Sequence, residues 1–93
     1  MKYKAPVDID TAIRIYYQYP EINNKQMREL FGSISSTTEA KYKKAVMAVQ
    51  MERGVKTMQL HTVNTKVAYE VWGIDVEDLV KRRNILKELG FIE

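Results

Sequence analysis

Apolar residues recur at helical spacing in five separate stretches of the chain. Intervals of three and four positions place such residues on one face of an α-helix. In the first stretch Ile9, Ala12, Ile13 and Tyr16 follow this rule. The pattern predicts helices over Ile9–Tyr19, Asn24–Phe31, Thr37–Arg53, Thr65–Trp72 and Val76–Leu89.

Residues that start helices precede each stretch, and Pro or Gly follows it. Side-chain oxygens of Asp, Asn and Ser accept hydrogen bonds from the free N–H groups of a first helical turn. The predicted N-caps are Asp8 or Asp10, Asn23, Ser36, Asn64 or Thr62, and Asp75. Two capping boxes are predicted, Asn23 with Gln26 and Ser36 with Glu39. For residues 55–63 three alternatives stay open: a loop, a short helix or a continuation of the third helix.

Composition supports an all-α fold in one domain. Gly and Pro are scarce, and 93 residues suffice for one domain. We expect a single helical domain over residues 1–93, with one unit in 1–54 and a second in 55–93. The absence of Cys fits a reducing cytoplasm, and we expect a cytoplasmic protein. The opening MKYKAPVDID has no apolar run, and no stretch reaches the roughly 20 apolar residues of a membrane-spanning helix. We therefore expect neither a signal peptide nor a membrane partner.

The chain repeats a short unit after 41 residues. NNKQMRELFGSIS, which begins at Asn23, aligns with NTKVAYEVWGIDV, which begins at Asn64. The alignment pairs a capping Asn, a Lys, a Glu, an aromatic residue and a Gly: Asn23/Asn64, Lys25/Lys66, Glu29/Glu70, Phe31/Trp72 and Gly32/Gly73. Each copy is a short capped helix, a glycine turn and a longer helix.

This unit resembles the helix-turn-helix of phage and bacterial DNA-binding regulators, over residues 23–49 and 64–92. The resemblance implies that the second helix of a unit enters the major groove. The match is incomplete, because Ser33 makes the first turn one residue longer than usual. Two alternatives remain open: helix-glycine-helix corners occur in proteins that never touch DNA, and two such units can simply bury each other in a bundle.

Charge favours the first copy as the DNA-reading unit. Residues 23–58 carry seven basic and three acidic side chains, whereas residues 59–93 carry five basic and six acidic ones. The third helix begins with hydroxyl residues followed by lysines, which suit phosphate oxygens and base edges. The predicted DNA contacts are Lys25, Arg28, Ser35, Ser36, Thr37, Thr38, Ala40, Lys41 and Lys44. The competing interpretation of KYKK at 41–44 is a solvated lysine face with Tyr42 in the core.

The second copy is predicted to serve structure or pairing. Asp75, Glu77 and Asp78 at the start of the fifth helix would be repelled by phosphates, and they suit the helix dipole instead. The apolar side of that helix is the predicted homodimer interface, formed by Ile85, Leu89, Phe91 and Ile92.

The sequence shows no residue pattern typical of a catalytic site or a metal site. His61 is the lone histidine and lacks nearby carboxylates, and the serines lack a base, so we expect no enzyme, no metal and no cofactor. Tyr17 and Tyr19 lie off the apolar stripe and are predicted to be exposed to a possible protein partner.

The sequence therefore predicts sequence-selective binding of double-stranded DNA through the first unit, as a homodimer. Two alternatives stay open. One is a protein-interaction module, such as a phage adaptor or inhibitor on the same scaffold. The other is a DNA-packaging component.

Overall fold

Helices make up most of the fold in the computed structural model, which describes residues 3–91. They are α1 (Ile9–Gln18), α2 (Asn24–Phe31), α3 (Ser36–Arg53), α4 (Thr65–Trp72) and α5 (Val76–Glu88). Two short strands, β1 (Glu21–Ile22) and β2 (Val63–Asn64), complete the described elements. The prediction of a small all-α domain with five helices is confirmed. Over residues 3–91, none of the helices combines the length and apolarity needed to cross a bilayer.

The helix starts follow the predicted caps with one exception. Asp8 caps α1, Asn64 caps α4, and Asn23 forms the predicted capping box with Gln26. Asp75 caps α5 as expected. The predicted box of Ser36 and Glu39 is wrong, because Ser35 caps α3 and the carboxylate of Glu39 is turned into the protein.

The two strands were not predicted, since two residues are too short for an alternating pattern to show. They pair antiparallel, with Glu21 opposite Asn64 and Ile22 opposite Val63. Each strand immediately precedes or contains the Asn that caps the next helix, so the pairing joins the starts of the two repeated units. Residues 55–62, left open by the sequence, form a loop between α3 and β2.

One apolar core includes residues of every helix. Its fully buried members include Ile15, Met27, Phe31, Val46 and Ala68. The predicted stripe of α1 was incomplete, because it omitted Ile15. Both α2 and α5 pack against α1, so its buried centre lies at Ala12 and Ile15.

Tyr42 of α3 is the centre of an aromatic cluster in this core. Its ring lies 5.3 Å from that of Phe31 and 6.3 Å from that of Trp72, measured between centroids. The indole Nε1 of Trp72 donates to the Tyr42 carbonyl at 3.2 Å. The Tyr42 hydroxyl accepts from the backbone N–H of Lys4 at 2.8 Å. These contacts seat α3 on α4 by one face and leave its opposite face outward.

Candidate nucleic-acid interface

The turn between α2 and α3 depends on Gly32. Its φ of 78° and ψ of −155° lie in a region that only glycine adopts readily. Its N–H donates to the Arg28 carbonyl at 2.8 Å, which closes the last turn of α2. The N–H of Val7 donates to the Leu30 carbonyl, also at 2.8 Å. The N-terminal segment thus satisfies a helix-end carbonyl that the turn itself leaves free.

An ion pair joins the two helices of the first unit. Arg28 Nε of α2 donates to Glu39 Oε1 of α3 at 2.7 Å, and Arg28 Nη2 lies 3.4 Å from Oε2. The Glu39 side chain is only 4% exposed, whereas that of Arg28 is 62% exposed. Hydrogen bonding to this carboxylate raises the pKa of Arg28 above its ordinary value. Arg28, a predicted DNA contact, therefore holds α2 to α3 and still presents part of its guanidinium to solvent.

Capping engages two of the predicted contact residues. The Ser35 hydroxyl accepts from the Thr38 N–H at 3.1 Å and donates to Thr38 Oγ1 at 2.9 Å. The two hydroxyls are thereby oriented by each other at the start of α3. Ser36 and Thr37 follow directly and are exposed.

The outward face of α3 carries the other predicted contacts. Ala40, Lys41 and Lys44 are all exposed, and they lie opposite the buried Tyr42 and Val46. Among the described residues, neither Lys41 nor Lys44 forms an ion pair with a carboxylate. Both ammonium groups are therefore free to meet an external anion.

A shallow concavity of about 360 Å³ runs beside this face, between α2 and α3. It is lined by four of the predicted DNA contacts and by four residues that were not among them. The first four are Arg28, Ser36, Ala40 and Lys44; the others are Asn24, Glu39, Lys43 and Met47. Lys25 is exposed near the start of α2 and does not line the concavity. Arg28, Lys43 and Lys44 against the single carboxylate of Glu39 make the concavity basic.

Lys43 belongs to the KYKK run, but its role depends on tertiary structure. Its Nζ donates to the carbonyl of His61 at 2.8 Å, in the loop that follows α3. That contact joins residues 18 positions apart, so no local pattern indicated it.

The corresponding end of the second unit has the opposite charge. Asp75, Glu77 and Asp78 are exposed at the start of α5. The arginines of α5 are already paired: Arg82 Nε with Asp78 Oδ2 at 2.8 Å, and Arg83 with Asp10 of α1. The two units therefore share a backbone plan and differ in the surface they offer to a polyanion.

The residues predicted to contact other proteins lie in or shortly after α1 and α5, and none of them belongs to α2 or α3. Tyr17 is exposed, whereas Tyr19 is half-buried against the core. Ile85, Leu89 and Phe91 are exposed at the end of α5, and Ile92 lies outside the described residues.

Across residues 3–91, no three acidic or histidine side chains converge in a way that suits a metal ion.

No protein-family model, curated protein sequence or solved structure matches the chain.

Proposed function

We propose that the protein binds double-stranded DNA with sequence selectivity through the outward face of α3. The observation that carries this proposal is the free pair of ammonium groups, Lys41 and Lys44, beside Ala40 on an exposed helix face. A solvated lysine face without function would show the same charge. Beyond the capping hydroxyl of Ser35, it would not require the short, exposed side chains of Ser36, Thr37 and Ala40 on the same helix.

In the proposed mechanism the lysines neutralise phosphates and release their counterions, which supplies most of the affinity. Ser36, Thr37 and Ala40 have short side chains, so the helix backbone can approach the floor of the major groove. The ion pair of Arg28 with Glu39 fixes the angle at which α3 projects from α2. Base-edge contacts at the start of α3 then provide selectivity.

The second unit is proposed to support the first and to pair two copies of the chain. Carboxylates lead α5, and its arginines are occupied by Asp78 and Asp10. The exposed Ile85, Leu89 and Phe91 are the proposed contact with a second copy. A two-fold dimer would place two α3 helices about 34 Å apart, one turn of DNA. The preferred site would then be an inverted repeat.

Selection from random duplex DNA at about 0.15 M salt tests the proposal. We expect one enriched motif, and an inverted repeat with half-sites about 10 base pairs apart if the protein pairs as proposed. Uniform retention of all duplexes would favour the DNA-packaging alternative. Retention of no duplex would exclude DNA binding.

A charge-matched pair of variants locates the contact. Lys41→Glu with Lys44→Glu reverses the charge of the α3 face, and Lys81→Glu with Lys87→Glu makes the same change on α5. All four lysines are exposed, so both variants should keep the helical circular dichroism of the parent. We expect only the α3 variant to lose DNA. Equal binding by the α3 variant and the parent would place the contact elsewhere.

A second candidate is a protein-interaction module, which the exposure of Tyr17 favours. This residue lines a concavity of about 470 Å³ formed by α1, α4 and the start of α5. In this candidate Tyr17→Ala with Tyr19→Ala loses a partner protein while DNA affinity is unchanged. Tyr19 is half-buried, so the single Tyr17→Ala variant is the cleaner comparison.

A further inference from the structure

Four large apolar side chains are exposed together beside the second half of α3. They are Met47 and Met51 on the helix and Met58 and Leu60 in the loop that follows it, and we call them the methionine patch. Met51, Met58 and Leu60 expose 84%, 95% and 87% of their surface, and Met47 exposes 54%. Exposed apolar groups that cluster in this way usually mark a contact surface.

The loop is held in the conformation that presents these side chains. The carboxylate of Glu21 accepts from the N–H groups of Met58 and Gln59 at 2.6 and 2.9 Å. It also accepts from Thr62 Oγ1 at 3.1 Å. Lys43 Nζ anchors the carbonyl of His61, whose φ of 62° is uncommon outside glycine. A surface ordered before binding loses less entropy when a partner docks.

Two concavities, of about 290 and 520 Å³, lie between α3 and the loop and share Met47 and Thr57. Together they follow α3 from Lys43 to Gly54, a length of about 16 Å at the helical rise. That length accommodates an α-helix with apolar residues at positions i, i+3 or i+4, and i+7. Methionine side chains adapt readily to such a partner.

The charge of these concavities restricts the partner. Lys43 and Lys56 line them, and no carboxylate does. Lys44 continues the positive charge into the neighbouring concavity, where Glu39 is already paired with Arg28. Glu52 on α3 and Glu21, whose carboxylate is held by the loop N–H groups, line neither concavity. A complementary ligand therefore has an apolar stripe flanked by carboxylates.

We infer that the methionine patch docks an acidic amphipathic helix of a partner protein. Duplex DNA offers negative charge but little apolar surface for four such side chains. A second copy seated patch to patch would bring Lys43 and Lys56 against the same residues, and like charges repel. A concave groove fits a helix better than the plane of a membrane. This surface goes beyond the proposed DNA binding and does not depend on it.

The test is a selection from a library of random 16-residue peptides displayed on phage. The full chain is the bait, and Met58→Ser with Leu60→Ser is the counter-selection bait. Val7→Ser removes apolar surface that is 52% exposed, outside the methionine patch and outside the proposed DNA and pairing surfaces, and is the control. We expect the enriched peptides to share helically spaced apolar residues and a net negative charge. Their affinity should fall about tenfold or more on the loop variant and stay unchanged on the control.

Three further measurements complete the test. Circular dichroism must show the loop variant folded, which the exposure of Met58 and Leu60 favours. Sedimentation of the chain alone and flotation with vesicles containing anionic lipid examine the other occupants. Peptides without acidic bias, peptides that bind the loop variant equally well, or an empty selection would overturn the inference. Patch-dependent dimerisation or vesicle binding would overturn it as well. All of these outcomes are measured without DNA, so failure here is distinct from failure of the proposed function.

Discussion

Phe31 and Trp72 occupy equivalent positions in the two repeated units, and their rings contact each other. The ring centroids lie 5.1 Å apart, and the planes meet at 73°, an edge-to-face arrangement. Both side chains are buried. Ile22 and Val63, also equivalent, lie opposite each other in the two-stranded sheet. The units therefore bury the same positions against each other, and this gives a physical reason for the repeat in a chain too short to bury either unit alone.

A double-mutant cycle measures this contact. Phe31→Leu and Trp72→Leu, alone and together, should show a coupling of about 0.5–1.5 kcal/mol in urea unfolding, since aromatic pairs contribute beyond their buried area. The hydrogen bond from Trp72 to the Tyr42 carbonyl is lost both in Trp72→Leu and in the double mutant, so its loss cancels in the coupling energy. Phe31→Leu combined with Tyr17→Leu, at an exposed position, should be additive. Additivity in the first cycle as well would show that the rings contribute only area.

The glycines of the two units should differ in tolerance. Gly73 has φ 73° and ψ 27°, the left-handed conformation that Asn adopts readily, and space for a Cβ is open. Gly32 has a backbone conformation restricted to glycine, and a Cβ would lie 2.9 Å from Val7 Cγ1. We expect Gly32→Asn to lower the free energy of unfolding by about 1–3 kcal/mol, and Gly73→Asn to lower it much less. Thermal unfolding of the two variants decides the matter, and equal losses would contradict this account of the first turn.

Alkaline pH should destabilise the protein through Tyr69. Its buried hydroxyl donates to the Ala12 carbonyl at 2.7 Å, and burial raises the pKa of this phenol well above its ordinary value. Above pH about 10 the unfolded phenol loses its proton while the folded one keeps it. The folded state then binds more protons than the unfolded state. The contribution of Tyr69 to the free energy of unfolding is therefore complete below pH about 10. It declines as the pH rises further, by up to about 1.4 kcal/mol per pH unit.

Tyr69→Phe separates this effect from the titration of other tyrosines. At neutral pH the variant should be less stable by about 1 kcal/mol, because the Ala12 carbonyl loses its donor. Urea unfolding repeated above pH 10 should show a smaller difference in free energy of unfolding between the variant and the parent. Tyr17→Phe removes a hydroxyl from an exposed side chain, and its free energy of unfolding should equal that of the parent at every pH. A constant gap would show that Tyr69 ionises equally in both states.

Acid should loosen the loop after α3 before it unfolds the helices. The N–H groups of Met58 and Gln59 lower the pKa of Glu21 below its usual value. A carboxylate with a lowered pKa stabilises the folded state above its unfolded pKa, and this contribution disappears as pH falls through the folded value. The amide resonances of Met58 and Gln59 should therefore titrate at a pH below 4.5.

Glu21→Gln should give fast hydrogen exchange at Met58 and Gln59 at neutral pH. Glu70→Gln is the matched control, since the pKa of Glu70 is also lowered, by its hydrogen bond with Arg53. That substitution should leave both loop amides protected. Unchanged protection in Glu21→Gln would show that other contacts hold the loop.

The salt dependence of DNA binding should report the two free lysines. Each phosphate contact contributes about 0.9 to the slope of log K against log salt concentration. Lys41→Gln with Lys44→Gln should therefore lower the slope by about 2. The same change at Lys81 and Lys87 on α5 should leave it unaltered. A slope insensitive to the α3 substitutions would remove these lysines from the interface.

The sequence by itself determined the five helices and four of their five caps. These features depend on residues within about four positions of each other, such as Asn23 with Gln26, so the local sequence is enough to indicate them. Its charge pattern also distinguished the two units, because the lysines of α3 and the carboxylates of α5 are local to each helix.

Tertiary structure alone decided the remaining relationships. The pairing of β1 with β2, the burial of Glu39 against Arg28 and the anchoring of the loop by Glu21 join residues 11 to 43 positions apart. Such contacts depend on how the helices pack, and no local spacing encodes them. The misassigned cap at Ser36 has the same origin. Glu39 lies three residues after Ser36, as a capping box requires, but its buried carboxylate pairs with Arg28 and the helix is capped one residue earlier, by Ser35.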